Sequence, residues 1–488
     1  MARILLNPSV SRGIIDRNIF GQFSEHLGHC IYEGIYVGED SPIPNICGIR
    51  SDVIEALKKI KVPVLRWPGG CFADEYHWED GIGPKKERKR MVNNNWGGVV
   101  ENNYFGTHEF LELCRLIGCE PYICGNVGSG TVREMADWIE YINSPSDSSV
   151  AQKRWANGKK EPWQIKYWGV GNENWGGGGN MSAEYYSDVY RRYATYCRNF
   201  TDKPLYKIAC GPGSSDYHWM ETLMQRASHM FEGISLHHYT IPSGDWAKKG
   251  SATNFSLEEY YSTLVRTQIM DELITKHSAI MDRYDPEKKI GLIVDEWGIW
   301  TEVEPGTNPG FLFQQNTMRD ALLAAINFDI FIHHCDRVKM ANIAQMVNVL
   351  QAMILTKGEK MILTPTYHAF DLYKTHQDAR HIDTCVLADK TGFNQWQTGQ
   401  LSASASEKDG LFTLTMSNLS AEKPISVSVE GIKVKEATGK ILSGKFNQFN
   451  DFDSSERLAS SIYDGMRIKE GHLCAELPPC AIVAIEMR

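Results

Sequence analysis

Two glutamates stand at the ends of apolar, strand-like runs that lie far apart in the sequence. Glu173 follows residues 168–171 and Glu296 follows residues 293–295, and aromatic residues come soon after both. A carboxylate at the C-terminal end of a buried parallel strand lies where (β/α)8 barrels hold their chemistry. Cleaving a glycosidic bond needs two carboxyl groups, one to protonate the leaving oxygen and one to attack. One strand-end glutamate is ordinary, but two in the same setting predict a catalytic pair, with Trp297 shielding Glu296 from water.

Further polar residues stand at other strand ends. Asn172 directly precedes Glu173 and can donate its amide to a sugar hydroxyl beside the scissile bond, a contact that strengthens in the transition state. Tyr239 is placed to hydrogen-bond the nucleophile, although a rim tyrosine packed under a loop explains the pattern equally well. Arg66 is expected to organise neighbouring carboxylates. Polar side chains that converge from the ends of several strands are typical of barrel enzymes. The other polar strand-end residues are Glu25, His26 and Gln345.

Two other motifs invite a cofactor interpretation that we reject. The pairs at residues 237–238 and 333–334 are adjacent histidines, and neighbours on a strand point to opposite faces, so they do not easily chelate one ion. We interpret them as core histidines or as support behind the site. The glycine-rich residues 125–130 lack the Lys-Ser/Thr ending and the Rossmann spacing of phosphate loops, and are expected to let substrate approach the backbone. Neither a metal nor an organic cofactor is expected.

The elements that must position these residues follow a regular order. Eight short β-rich runs alternate with amphipathic stretches such as residues 51–61, 107–118 and 182–199, the last with Ser182 as a plausible N-cap. This order predicts an α/β fold with a (β/α)8 TIM barrel over residues 17–380. The eight runs are residues 19–25, 62–67, 120–126, 165–171, 206–211, 233–239, 290–295 and 338–343.

The character of the sequence changes after about residue 380. Residues 411–417, 425–429 and 481–485 alternate apolar and polar side chains wholly or in part, with Gly and Asn turns between them. This pattern predicts a C-terminal antiparallel β-sandwich, jelly-roll-like, over residues 381–488. The short apolar run within residues 1–16 is expected to add a strand to that sandwich.

Composition and charge limit the partners and the cellular compartment that can be expected. The formal net charge is −9 and no dense basic tract occurs, so nucleic acid is not expected as a partner. No apolar stretch is long enough to span a membrane and no signal peptide is visible. The 12 cysteines form no C-x-x-C pair, which favours free thiols in the cytoplasm. Aromatic residues make up 11%, which suits a carbohydrate-binding surface but also a large buried core.

Taken together, the motifs make the chain resemble glycoside hydrolase family 51, the α-L-arabinofuranosidases, nearly from end to end. Each motif alone is weak evidence for the family, whereas the complete set of motifs is specific for it. The matching segments are Phe23-Ser24-Glu25-His26-Leu27-Gly28, Arg66-Trp67-Pro68-Gly69-Gly70, Gly171-Asn172-Glu173, Asp295-Glu296-Trp297 and Ala344-Gln345-Met346-Val347-Asn348-Val349.

The resemblance implies roles for individual residues. Glu173 would be the acid/base and Glu296 the nucleophile, with retention of configuration. One position departs from the pattern: many members have an Asn after the Gly-Gly pair, where it touches the sugar, and this chain has Cys71, a weak donor and acceptor. The resemblance further implies a homohexamer. The residues that would hold the furanose or line its pocket are Glu25, Cys71, Trp96, Asn172, Tyr239, Trp300 and Gln345.

The sequence therefore predicts a retaining, exo-acting α-L-arabinofuranosidase that acts on arabinoxylan- or arabinan-derived oligosaccharides. Two alternatives stay open at this point. The same fold and class serve an endo-β-glucanase or a β-xylosidase, and a non-catalytic sugar-binding protein could use the same scaffold. The presence of both glutamates at their expected strand ends argues against the last of these.

Overall fold

A computed structural model describes residues 2–488 of the chain. Its centre is a closed barrel of eight parallel strands, in which each strand pairs with the next along the chain and the eighth pairs with the first. The predicted (β/α)8 barrel is confirmed, and each of the eight predicted runs overlaps one barrel strand, although strands six and seven extend past the predicted ends. In chain order, barrel strands one to eight are Gly21–Phe23, Val64–Trp67, Glu120–Gly125, Tyr167–Val170, Tyr206–Ala209, Gly233–Thr240, Gly291–Ile299 and Val338–Ile343.

Helices surround the barrel, and side-chain caps fix several of their starts. The Ser182 hydroxyl accepts from the Tyr185 backbone N–H, as its predicted N-cap role requires. The Thr131 hydroxyl caps the helix Val132–Asn143 in the same way, by accepting from the Glu134 backbone N–H. The α-helices are Ser51–Lys59, Thr107–Ile117, Val132–Asn143, Ser149–Ala156, Ala183–Tyr196, Tyr217–Ala227, Leu257–Thr267, Ile269–Tyr284, Met318–His333 and Pro365–Tyr373. Two-stranded hairpins are Asn45–Ile46 with Ile49–Arg50, Met91–Val92 with Val100–Glu101, Ile354–Lys357 with Lys360–Leu363, and Lys390–Phe393 with Trp396–Gly399.

The second domain is one ten-stranded sheet that includes the N-terminal strand Ala2–Asn7. Leu414 and Ile485 from one half of this sheet share a core with Val427 and Leu473 from the other half, so the sheet folds over on itself as a sandwich does. Its pairing is antiparallel except where Ala2–Asn7 runs parallel to Ile425–Glu430. The remaining strands are Arg380–Leu387, Leu401–Lys408, Leu411–Asn418, Ala437–Ser443, Ser461–Ile462, Met466–Lys469, His472–Leu477 and Ala481–Met487.

One helix joins the two domains. Met318–His333 is buried along its whole length apart from its last residue, which explains why its sequence is apolar on every face. Its one buried acid in the last two turns, Asp329, accepts hydrogen bonds from Tyr373 and from Ser404 of the sheet domain. Within residues 2–488, no helix has both the length and the apolar composition that crossing a bilayer requires.

Candidate active site

Glu173 and Glu296 face each other across the mouth of the barrel. Glu173 follows strand four in a left-handed backbone conformation with φ 43°, and Glu296 lies within strand seven. Oxygen atoms of the two carboxyl groups lie within 4.8 Å of one another. Left-handed non-glycine residues cluster at functional sites, because only the surrounding structure holds them there. The two glutamates that the sequence singles out are therefore close enough to act on one bond.

Two donors fix the carboxylate of Glu296. Arg66 Nη1 donates to its Oε1 at 2.8 Å, and the Tyr239 hydroxyl donates to its Oε2 at 2.7 Å. Both predictions, that Arg66 organises carboxylates and that Tyr239 bonds the strand-seven glutamate, are confirmed as contacts. Asp295 also turns inward, at 3.5 Å from Arg66, because strand seven is irregular between Val294 and Trp297. Such a bulge breaks the alternation of faces.

Trp297 does not shield Glu296, contrary to expectation. Its ring is fully buried on the outer face of strand seven, where it packs edge-on against Phe328 and Phe331 of the joining helix. Successive side chains of a strand point to opposite faces, so Trp297 points away from the barrel interior when Glu296 points into it. The aromatic ring beside Glu296 is instead that of Tyr239.

His237 connects the acidic residues of the site. Its Nδ1 is 2.8 Å from Glu173 Oε1 and 3.6 Å from Glu296 Oε2, and its Nε2 is 3.1 Å from Asp295 Oδ1. Burial alone would lower the pKa of His237, but the carboxylates of Glu296 and Asp295 outweigh it and raise that pKa to about 10. The ring is thus an imidazolium at neutral pH, and it supplies the positive charge that these carboxylates require.

Of the two sequence interpretations of the histidines, the structure favours support behind the site for His237. His237 and His238 do point apart, since His238 Nδ1 bonds the Ser214 hydroxyl at 2.9 Å. His237 is not mere core, however, and its side chain belongs to a group with Glu173 and Glu296 whose ligand atoms are spaced as a metal site would need. Because both ring nitrogens already face carboxylates, a metal would have to displace the imidazolium proton before it could bind.

The charge on His237 predicts a pH dependence of stability. Its folded pKa of about 10 exceeds the ordinary value of 6.5, so its contribution is complete below pH 6.5 and is lost as the pH rises toward 10. Wild type should lose unfolding free energy across this window, by up to about 1.4 kcal/mol per pH unit, and H237Q should lack that part of the slope. Urea titrations of both proteins from pH 6.5 to 9.5 measure it. A constant difference between the two proteins would contradict the assigned charge.

Asn172 and Gln345 each have one buried side-chain atom without a hydrogen-bond partner. Asn172 Oδ1 accepts from Arg66 Nη2 at 2.6 Å, which leaves Asn172 Nδ2 without an acceptor. Gln345 Nε2 donates to Glu25 Oε2 at 2.8 Å, which leaves Gln345 Oε1 without a donor. Buried polar groups are rarely left unpaired, so this pair offers one donor and one acceptor to the hydroxyl groups of a bound molecule.

On the other side of the pocket, the Glu25 carboxylate accepts hydrogen bonds from several residues. Its Oε1 accepts from the Phe72 backbone N–H at 3.1 Å and from the Trp96 indole at 3.0 Å. Burial, and then the charge of Glu296, raise the pKa of Glu25 to about 7. Trp96 is thereby tied to the first barrel strand, although it lies in the long segment between strands two and three.

Cys71 and Trp300 complete the set that the sequence singles out. The Cys71 thiol lies beside Gly177 of the loop after strand four, and burial, followed by the charge of Glu173, raises the pKa of Cys71, so it is a neutral thiol. The Trp300 ring meets the Tyr239 ring edge-on, with 5.1 Å between centroids. The structure thus brings all nine residues around one pocket.

Asp74 is a residue of this site that the sequence interpretation missed. Its Oδ1 accepts from the backbone N–H groups of Val127 and Gly128 at 2.7 and 2.8 Å, and its Oδ2 accepts from that of Asn172 at 2.9 Å. Burial raises the pKa of Asp74 to about 7, against the lowering effect of these N–H groups. The glycine-rich residues 125–130 therefore do not turn these N–H groups toward substrate, because Asp74 occupies them.

Replacing Asp74 should disturb the end of strand four. In D74N an amide NH2 must face a backbone N–H, which leaves buried donors unpaired at a cost of about 1–3 kcal/mol each. Asp74 holds the backbone of Asn172, and Glu173 is the next residue, so losing this contact should misplace Glu173. We therefore expect kcat to fall roughly 10- to 100-fold. Steady-state kinetics and urea unfolding measure both effects. D409N, at an exposed turn of the sheet domain, is the matched control, and a D74N variant with wild-type kcat would contradict the anchoring role.

A separate cavity lies at the opposite end of the barrel. It measures 1360 Å³ and is lined by residues such as Asn18, Lys166 and Lys339, which lie near the N-terminal ends of strands. None of the nine predicted site residues lines it. Since the N-terminal face of such barrels serves stability, the carboxylate-lined mouth is the better candidate for chemistry.

Comparison with known proteins gives a consistent result. The family model described as "Alpha-L-arabinofuranosidase 1 domain" matches residues 56–249, and "Alpha-L-arabinofuranosidase C-terminal domain" matches residues 295–481. The chain is 50% identical to an intracellular exo-alpha-L-arabinofuranosidase of Bacteroides ovatus, over 100% of this chain and 96% of that protein.

Solved structures agree over the whole chain. A GH51 arabinofuranosidase from Xanthomonas axonopodis pv. citri superimposes with a TM-score of 0.98 at 49% identity, covering 100% of this chain and 99% of the other. An alpha-L-arabinofuranosidase from Thermotoga maritima, solved as an arabinose complex, superimposes with a TM-score of 0.86 at 32% identity, again covering 100% and 99%.

Proposed function

This chain belongs to glycoside hydrolase family 51, and on that premise we propose that it hydrolyses arabinofuranosides by a double displacement with Glu173 as acid/base and Glu296 as nucleophile. It is an exo-acting α-L-arabinofuranosidase, a glycoside hydrolase that acts on arabinose-containing carbohydrates. The roles of individual residues and the stereochemical course are our proposal.

One observation carries the stereochemical part of the proposal. Retaining glycosidases hold their two carboxyl groups about 5–5.5 Å apart, whereas inverting ones leave roughly 6.5–9.5 Å for a water molecule. The oxygen atoms of Glu173 and Glu296 lie within 4.8 Å of one another. This spacing lies on the retaining side of that division, and it supports direct attack by Glu296.

In the first step the two glutamates act on the same bond from opposite sides. Arg66 and Tyr239 hold the Glu296 carboxylate in a fixed orientation for attack on the anomeric carbon. Glu173 Oε1 is engaged by His237, so Glu173 Oε2 is the oxygen left to carry the transferable proton. As the new C–O bond to Glu296 forms, the glycosidic bond breaks and the leaving oxygen takes that proton.

In the second step water replaces the leaving group. Glu173, now a carboxylate, removes a proton from water, which attacks the anomeric carbon and releases Glu296. Negative charge has therefore moved from Glu296 to Glu173 between the two steps. His237 Nδ1 lies 2.8 Å from Glu173 and 3.6 Å from Glu296, so one imidazolium can stabilise whichever carboxylate is ionised.

Sugar recognition is proposed to use the unpaired atoms of the pocket. Asn172 Nδ2 would donate to the furanose 2-hydroxyl and Gln345 Oε1 would accept from another hydroxyl, since both are buried without partners. Glu25 would accept a hydrogen bond from a further hydroxyl group, while Trp96 and Trp300 close the sides of the pocket. Cys71 would contact the sugar through a weak thiol hydrogen bond.

Comparative kinetics test the substrate assignment. We expect turnover of 4-nitrophenyl α-L-arabinofuranoside to exceed that of 4-nitrophenyl β-xyloside and of soluble β-glucan by at least roughly 100-fold in kcat/KM, because the pocket must fit one terminal furanose. Faster turnover of the xyloside or glucan would favour the β-xylosidase or endo-β-glucanase alternative. Absence of all turnover would favour a sugar-binding protein.

Location and assembly are further proposals. The Bacteroides relative is named intracellular, and the 12 cysteines of this chain are free thiols that suit a reducing compartment, so we propose a cytoplasmic enzyme. The homohexamer stays a prediction that light scattering of the purified protein will test. The proposed substrates are oligosaccharides that carry terminal arabinofuranosyl groups.

A further inference from the structure

Two cysteines meet where the helix Thr107–Ile117 ends, on the face of the barrel opposite the catalytic pair. Gly118 adopts the left-handed conformation with φ 84°, so the chain reverses directly after the helix. The backbone N–H groups of Gly118 and Cys119 both donate to the Cys114 carbonyl, at 2.8 and 3.0 Å. The bond from Cys119 is the one that marks a Schellman turn, in which the two residues that it joins commonly also touch through their side chains. In this chain both of those side chains are thiols.

The two sulfur atoms lie within reach of one another. With ordinary bond lengths, the 3.0 Å bond from Cys119 N to Cys114 O keeps the two Cα atoms within about 7 Å of each other, and a disulfide requires a separation below roughly that value. Burial, and then a hydrogen bond between the two thiols, raises the pKa of Cys114 well above its usual value. The thiols therefore face each other, and little movement of the backbone is needed to join them.

Cys119 is the more accessible of the two thiols. Cys114 is buried, whereas Cys119 is partly exposed, and both line the cavity of 1360 Å³ at this end of the barrel. Nine Lys and Arg residues line that cavity against five Asp and Glu residues, in a chain whose formal net charge is −9. Positive surroundings favour the thiolate, which is the form that reacts. Cys119 thus has the exposure and the setting of a reacting thiol, and Cys114 is placed as its resolving partner.

We propose that Cys114 and Cys119 form a reversible disulfide when the protein meets hydrogen peroxide, which makes the end of this helix a redox modification site. The Cys119 thiolate attacks one peroxide oxygen, the O–O bond breaks, and a sulfenic acid forms while the released hydroxide takes up the thiol proton as water. The Cys114 sulfur then attacks the Cys119 sulfur, the S–O bond breaks, and a second water leaves with the Cys114 proton. Two thiols have lost two electrons and two protons, and one peroxide has become two waters. A dithiol reductant returns both thiols.

Oxidation should stabilise the protein at this turn. The disulfide closes a loop of six residues, from Cys114 to Cys119, which restricts the unfolded chain. It also ties the helix to strand three, because Glu120 begins that strand directly after Cys119. We expect the Tm of the peroxide-treated protein to rise by about 2–4 °C and to return to its starting value after treatment with dithiothreitol.

Peptide mapping tests the pairing directly. The full-length protein is treated with hydrogen peroxide, its remaining thiols are alkylated, and its peptides are examined by mass spectrometry. The expected product is an internal link between Cys114 and Cys119 that dithiothreitol removes. C114S and C119S should form no such link and should show no rise in Tm. C47S, which removes an exposed cysteine from a turn, is the matched control and should form the link as wild type does.

Three outcomes would overturn the proposal. Both thiols could be alkylated after peroxide treatment, Cys119 could be linked to a different cysteine, or Cys119 could reach the sulfinic acid while Cys114 stays a free thiol. The last result would show that Cys114 does not resolve the sulfenic acid. Mapping of the wild-type protein does not depend on the folding of any variant. C114A gives a second variant in which the buried position carries no hydroxyl group.

Discussion

Replacing Glu296 by alanine will lower kcat for arabinofuranoside hydrolysis by roughly 10⁴-fold or more, the largest single effect expected in this protein. The change removes the atom that attacks the anomeric carbon, and residues that act as one catalytic unit lose most of the rate together. Arg66 and Tyr239 would also lose the carboxylate that they now bond. Steady-state kinetics on 4-nitrophenyl α-L-arabinofuranoside measure the effect.

A small anion distinguishes lost chemistry from lost structure. Azide can enter the space vacated in E296A and attack from the same face, which should restore part of the rate and give the azide product of inverted configuration. E272A, on the outer helix Ile269–Tyr284, should behave as wild type. Full hydrolysis by E296A without azide would show that another group attacks.

Replacing Glu173 by alanine should slow hydrolysis in proportion to how much the leaving group needs a proton. For methyl α-L-arabinofuranoside the expected loss in kcat/KM is about 10³-fold, within the usual range for general acid catalysis. For a dinitrophenyl arabinofuranoside, whose leaving group departs as a stable anion, the expected loss in the first step is less than about ten-fold. Pre-steady-state kinetics on the second substrate isolate that step.

The matched control for this variant keeps the shape of the side chain. E173Q can still accept from His237 but cannot release a proton, so it should show the same dependence on leaving group as E173A. Azide should now give the product of retained configuration, because Glu296 still forms the intermediate. Equal slowing of good and poor leaving groups would contradict the acid role.

Much of this architecture is predictable from local sequence pattern. Buried parallel strands appear in the sequence as short apolar runs between helices, and each of the eight runs overlaps one barrel strand. Glu173 and Tyr239 stand at strand ends, where alternation and chain order suffice to place them at one mouth. His237 could have been placed there too, because it lies two residues before Tyr239 and residues two apart on a strand share a face.

Other parts of the site depend on contacts that no local pattern records. Asp295 faces inward beside Glu296 only because strand seven is bulged, and Trp297 resumes the alternation on the outer face. Asp74 reaches across the mouth to backbone groups some fifty to a hundred residues away in the chain. Its role follows from the closure of the barrel, which brings the segments after strands two, three and four together.

The covalent intermediate gives the most direct test of the central claim. E173A should form it quickly from a dinitrophenyl arabinofuranoside and release it slowly, because the base for the second step is absent. Intact-mass spectrometry of the quenched reaction should show a gain of one arabinosyl group, and peptide mapping should place that group on Glu296. An unmodified protein that still turns over, or an arabinosyl group on any other residue, would contradict the double displacement proposed here.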